Sequence, residues 1–69
     1  MLKVRTHNTE HGEKAEILCK SIECLGITEL TCCEVETIEG EADITGYYHG
    51  KSYTNVIIPL HNLTEAIPV

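Results

Sequence analysis

The hydrophobic pattern changes period along the chain. Leu2, Val4 and Thr6 alternate with Lys3, Arg5 and His7, the two-residue period of a half-buried strand. Asn8 to Gly12 is polar and turn-like. From Glu13 to Leu25 the residues Ala15, Leu18, Cys19, Ile22 and Leu25 recur at helical spacing on one face. Glu10 and Glu13 stand near the start of that segment, where a helix dipole favours negative charge, and Gly26 follows it as a C-terminal cap should. The spacing predicts a helix over 13–25. Ile27 to Ile38 is rich in Thr, Cys, Val and Ile, which suit a pleated surface. One face of this predicted strand begins apolar at Leu30 and Cys32 and turns acidic at Glu34 and Glu36. Glu39-Gly40-Glu41 breaks the pattern. Ala42 to Tyr48 and Lys51 to Ile58 flank a His49-Gly50 turn signal and predict a hairpin. After Pro59, Leu60 to Val69 forms a short closing segment suited to an edge strand.

The predicted order is strand, helix, strand, hairpin or loop, strand. A helix between two strands returns the chain across the sheet, so the expected fold class is α+β. Its unit is a two-layer βαβ domain over residues 1–69 with a projecting hairpin or loop. Composition adds a constraint. A chain of 69 residues buries only about 60% of its unfolded surface. It holds three Tyr and no Phe or Trp, so its core must come from aliphatic residues and cysteine. Chains this small usually need a staple or a second copy, and the open edges of such a unit predict a homo-oligomer.

Charge excludes one class of partner. Five Lys and Arg stand against eleven Asp and Glu, a net of −6, with no basic cluster to replace the counterions of a phosphate backbone. Direct nucleic-acid binding is not expected. The acidity is read first as a solubility device, and alternatively as that of an inhibitor of a nucleic-acid-processing enzyme. Met1 to Arg5 lacks the apolar core of a secretory signal, and no apolar run approaches the roughly 20 residues of a membrane span. A cytoplasmic location is therefore expected, with Cys19, Cys24, Cys32 and Cys33 reduced.

Four Cys and four His raise the question of a metal. On a helix Cys19 and Cys24 diverge by roughly 140°, and Cys32 and Cys33 point to opposite faces of a strand. Their spacing suits buried hydrophobes better than zinc ligands. His7 and His11, with Glu10 close by, form the pair from which a divalent metal site would be built, across two chains or a folded loop. No other cofactor is expected. No nucleophile-and-base spacing, Gly-x-Gly-x-x-Gly or Walker-type loop is present, so no enzymatic activity is expected. Every aromatic residue lies between positions 47 and 53, as Tyr47, Tyr48 and Tyr53. Tyrosine is enriched at binding hot spots because it buries a large area at small entropic cost. Cross-strand tyrosines also stabilise hairpins, and one hairpin can do both.

Leu25-Gly26-Ile27-Thr28-Glu29-Leu30-Thr31 with Glu34-Val35, and Tyr48-His49-Gly50-Lys51-Ser52-Tyr53 with Pro59, resemble segments of the PII family of signal-transduction proteins. The second stretch resembles that family's Tyr-Arg-Gly-x-x-Tyr segment, with His49 in place of arginine. The resemblance implies a ferredoxin-like scaffold of which this chain carries the N-terminal βαβ half, a trimeric relative, and a long loop that touches targets. It also implies nucleotide and 2-oxoglutarate sensing, but the family's Gly-x-Gly-Arg-Gln segment is matched here by Thr37-Ile38-Glu39-Gly40-Glu41. Two carboxylates there repel a triphosphate. The expectation is thus a small non-enzymatic regulatory or interaction protein on a half-ferredoxin-like scaffold. It would bind a protein partner through an arm over 39–57, using Tyr47, Tyr48 and Tyr53 with an acidic rim of Glu39, Glu41 and Asp43. A metal- or small-ligand-binding oligomer is the alternative.

Overall fold

A computed structural model describes residues 1–49 and 54–69, with Leu25 described by its backbone alone. Its elements are β1 (Leu2–His7), β2 (Lys14–Leu25), β3 (Glu29–Gly40), β4 (Gly46–His49), β5 (Thr54–Pro59), a 3₁₀ turn (Leu60–Asn62) and β6 (Leu63–Pro68). All neighbours pair antiparallel, in the order β4-β5-β3-β2-β1-β6. The α+β expectation is overturned. No α-helix occurs among the described residues, and there is no βαβ crossover and no half-ferredoxin-like unit.

The helix predicted over 13–25 is strand β2, and the error has a structural origin. Ala15, Ile17 and Cys19 point inward at a period of two, whereas the next inward residue is Ile22. The parity changes at Lys20–Ser21, where β2 turns a corner. Two strand patterns spliced out of phase place Ala15, Cys19 and Ile22 at spacings a helix would also give. The fully buried Ile17 is the residue a helical face leaves out, and Leu18, counted in that face, is only half-buried on the other side. Local propensity pointed the same wrong way, since Ala, Glu, Lys and Leu favour helices. Pairing along the whole length of β3 overrides it.

The corner divides the sheet in two. The first half of β2 and the last half of β3 pair with each other beside β1 and β6. The second half of β2 and the first half of β3 continue into β5 and β4. Strands that pass from one half-sheet to the other do so through bulges. Against β2, one residue of β3 is looped out between Val35 and Thr37. Against β5, Cys33 and Glu34 together oppose Asn55. Gly40 closes β3 at a φ of 87°, and a Cβ there would strike the Lys14 carbonyl oxygen.

The fold leaves its core between the half-sheets. Val4 and Ile17 from the first meet Leu30, Cys32, Val56 and Ile58 from the second, with Cys19 at the corner. Val4, Ile17, Cys19 and Cys32 are wholly shielded from solvent. A flat sheet with no covering layer cannot shield one face, so the fold must curl over itself. One chain therefore covers its own core, and completion by a second copy, part of the expected fold, is not required for burial.

Candidate functional site

Strand β4 is the outermost strand on one side of the sheet, and on it Tyr47 and Tyr48 remain 67% and 49% exposed. Successive strand residues face opposite ways, so the two rings lie on the two faces of the edge. The Tyr47 ring meets His49 edge-on, with centroids 5.5 Å apart. His49 Nδ1 and the Thr54 hydroxyl share a hydrogen bond of 3.0 Å, which ties the strand to β5. Tyr48 stands opposite Asn55 and walls a recess of about 350 Å³ with Ser21, Glu23, Cys33, Glu34 and Asn55.

The β3 bulge builds this recess. Asn55 is buried, and its Oδ1 accepts the Glu34 backbone N–H at 2.8 Å, so a side chain replaces the ladder bond that the bulge breaks. Glu34 takes a φ of 53°. Its carboxylate lies 3.5 Å from Lys20 Nζ, an exposed ion pair at the sheet's corner. Glu23 has no ion-pair partner among the described residues.

A larger cleft of about 540 Å³ lies on the first half-sheet, with Arg5, His7, Lys14, Glu16, Glu39 and Glu65 among its walls. The pairing register aligns Glu65, Arg5, Glu16 and Glu39 across four strands. Arg5 donates to Glu16 at 3.1 Å and to Glu65 at 2.7 Å. Its guanidinium is already held between two carboxylates, and a ligand there would have to compete with both.

The residues singled out in the sequence are spread over the molecule. Glu39 and His7 line the larger cleft. Glu41 donates its backbone N–H to the Lys14 carbonyl. Asp43 accepts a bond of 3.3 Å from Asn8 Nδ2, while Asn8 Oδ1 accepts the N–H groups of Glu10 and His11 in the β1–β2 turn. Asp43 thus has a visible structural role. His11 is exposed on that turn, and no group of three or more side chains suited to hold a metal ion occurs among the described residues. Tyr53 lies outside the described residues. The arm over 39–57 therefore has its acidic positions at the first half-sheet and its described tyrosines at the far edge.

All four cysteines are free thiols. Burial pushes the Cys32 thiol from the ordinary value of 9.0 up to about 12, reinforced by Cys19 beside it. Burial likewise raises Cys19, partly offset by its hydrogen bond with Cys32. A neutral, enclosed thiol is a poor nucleophile and metal ligand, so these two act as core residues. Ser21, Glu23, Cys33, Glu34 and Asn55 are the site residues that sequence reasoning missed. Only the tyrosines mark that region, because the others converge through a bulge.

No helix among the described residues is long and apolar enough to cross a membrane. Compared with known proteins, the chain matches no family model, no curated protein and no solved structure.

Proposed function

We propose that this protein is a small non-enzymatic interaction module that takes a protein partner on the β4 edge and the recess behind it. The observation that carries this is the pair of exposed tyrosines on a four-residue outermost strand. Proteins usually blunt sheet edges with charge or proline, because an unpaired backbone invites another chain. Here the edge carries two large amphipathic side chains instead. Tyrosine supplies contact area with few torsions to freeze, and strand addition supplies backbone hydrogen bonds. The βαβ scaffold that the PII-like resemblance implies does not occur among the described residues.

The test compares the parent chain with Tyr47→Ser/Tyr48→Ser and with Arg5→Gln, a control on the other half-sheet. Proteins retained from source lysate are identified by mass spectrometry, and the recovered partner is then titrated as a purified protein. The tyrosine variant is expected to stay folded and lose at least about tenfold in affinity, the loss of one hot spot. The Arg5 variant is expected to bind as the parent does. Equal binding by the tyrosine variant would remove this edge as the docking surface. Light scattering on the same samples separates a foreign partner from self-association through the edge.

A further inference from the structure

Two of the four cysteines meet inside the core. Cys19 on β2 and Cys32 on β3 are both wholly shielded from solvent and belong to one buried cluster with Val4, Ile17, Leu30, Val56 and Ile58. They are not partners on the β2–β3 ladder, where Cys19 faces Val35 and Cys32 faces Ile22. The corner in β2 and the bulges beside it bring the two thiols within hydrogen-bonding reach of each other. The other cysteines stand apart from this pair. Cys24 is exposed, and Cys33 lines the outer recess on the opposite face of β3. Two aliphatic side chains would fill the same space with no polar hydrogen to satisfy. What two thiols add at this place is the capacity to be joined.

We propose that Cys19 and Cys32 are a redox pair, which closes to a disulfide within the native fold and locks the corner between the half-sheets. The oxidant is a small-molecule disulfide of the glutathione type. One cysteine thiolate attacks it, forming a mixed disulfide and releasing one glutathione thiolate. The second cysteine thiolate then attacks the sulfur of the first, and the other glutathione thiolate leaves. Two protein thiols are oxidised, one glutathione disulfide is reduced to two thiols, and the protons lost by the cysteines are taken up by the departing thiolates. Neither step starts in the closed core, where both thiols are out of contact with solvent and burial keeps them neutral. Exchange therefore passes through an opened corner, and the bond is sealed as the fold recloses. The same enclosure then shields it from reductant. A cross-link between two strands restricts the unfolded chain, which is the kind of staple a chain of this length ordinarily needs.

The test sets the parent chain beside Cys24→Ser/Cys33→Ser, which leaves only the core pair. Both are held with oxidised glutathione at mildly alkaline pH, with and without urea below the unfolding midpoint, and read by intact mass and peptide mapping. Each is expected to lose about 2 Da, the mass of two hydrogens, and to yield one cross-linked peptide joining Cys19 to Cys32. Urea is expected to speed the reaction, because it populates the opened corner. The oxidised chain is expected to keep its amide NMR dispersion and to have an unfolding constant roughly a hundredfold smaller than the reduced chain. Peptide mapping of the parent decides the same question even if the double variant fails to fold. Glutathione adducts without a cross-link, no cross-link at all, or a bridge through Cys24 or Cys33 in the parent would overturn the pair. So would an oxidised chain that unfolds more easily than the reduced one, since the bond would then belong to a different fold.

Discussion

On the outer face of the first half-sheet, Arg5 lies between Glu16 and Glu65 beside the larger cleft. On the second half-sheet a smaller recess has two carboxylates, one loosely attended lysine and an exposed ring. The larger hollow has its Arg5 clamped at 3.1 and 2.7 Å by two carboxylates, whereas beside the smaller one Lys20 meets a Glu34 oxygen at 3.5 Å. Volume ranks the two in one order, and the looseness of the ion pairs ranks them in the other. The difference teaches that a surface whose charged groups are already clamped by their own chain is better read as structure than as a site.

The two half-sheets share one core, and its residues carry the largest expected effects. Ile17→Ala in the first half and Ile58→Ala in the second each remove a fully buried aliphatic side chain. Each is expected to lower unfolding stability by about 3 kcal/mol. Urea melts followed by circular dichroism should show one transition in both variants, and two separate transitions would mean that the halves fold independently.

A second test acts on the thiols that join the halves at the corner, Cys19 on β2 and Cys32 on β3. Their folded-state values are raised, whereas the unfolded chain ionises near 9.0. Stability is therefore expected to be fully present below that pH and to fall as pH rises from there towards about 12. Urea midpoints across an alkaline series check this, and Cys32→Val should flatten the decline. A parent profile with no decline would show that the pair is not enclosed.

Two further substitutions, one at a buried amide and one at an exposed guanidinium, then set the halves against each other. Asn55→Ala strands the Glu34 N–H at the bulge and is expected to cost about 2 kcal/mol. Hydrogen exchange at the Glu34 amide should accelerate with it. Arg5→Gln breaks both exposed ion pairs of the first half and is expected to cost no more than about 1 kcal/mol, less in high salt. A larger loss at Arg5 than at Asn55 would reverse the contrast between a solvated clamp and a built recess.

Part of this was legible in the chain itself. Strand β1 falls where the alternation of Leu2, Val4 and Thr6 places it, and Leu60–Val69 does contain an edge strand, β6. The tyrosine segment was visible because aromatics are so scarce. β2 was misread because a strand that changes inward parity at a corner imitates a helical stripe, and nothing in Lys20-Ser21 announces the corner. With β2 taken for a helix, the partners of β1 and β3 and the curled core were all out of reach. The recess was hidden for a related reason. Glu34 and Asn55 look like ordinary polar residues of two strands, and their relation depends on a one-residue slip between β3 and β5. Such a slip is a property of pairing, which no local window contains.

The ladder between β1 and β6 places the first strand against the last. Leu2 pairs with Pro68, Arg5 bonds Glu65 at a sequence separation of 60, and the Val69 N–H donates to the Met1 carbonyl. During synthesis β1 emerges early and finds β2 within a few residues, but its other edge waits until β6 leaves the ribosome. Closing so long a loop costs entropy before any contact rewards it, which places this step among the slow events of folding. Until then Val4 and Ile17 lack part of their cover, and β1 keeps one edge open. The interval before closure is when this protein is most exposed to pairing with the wrong neighbour.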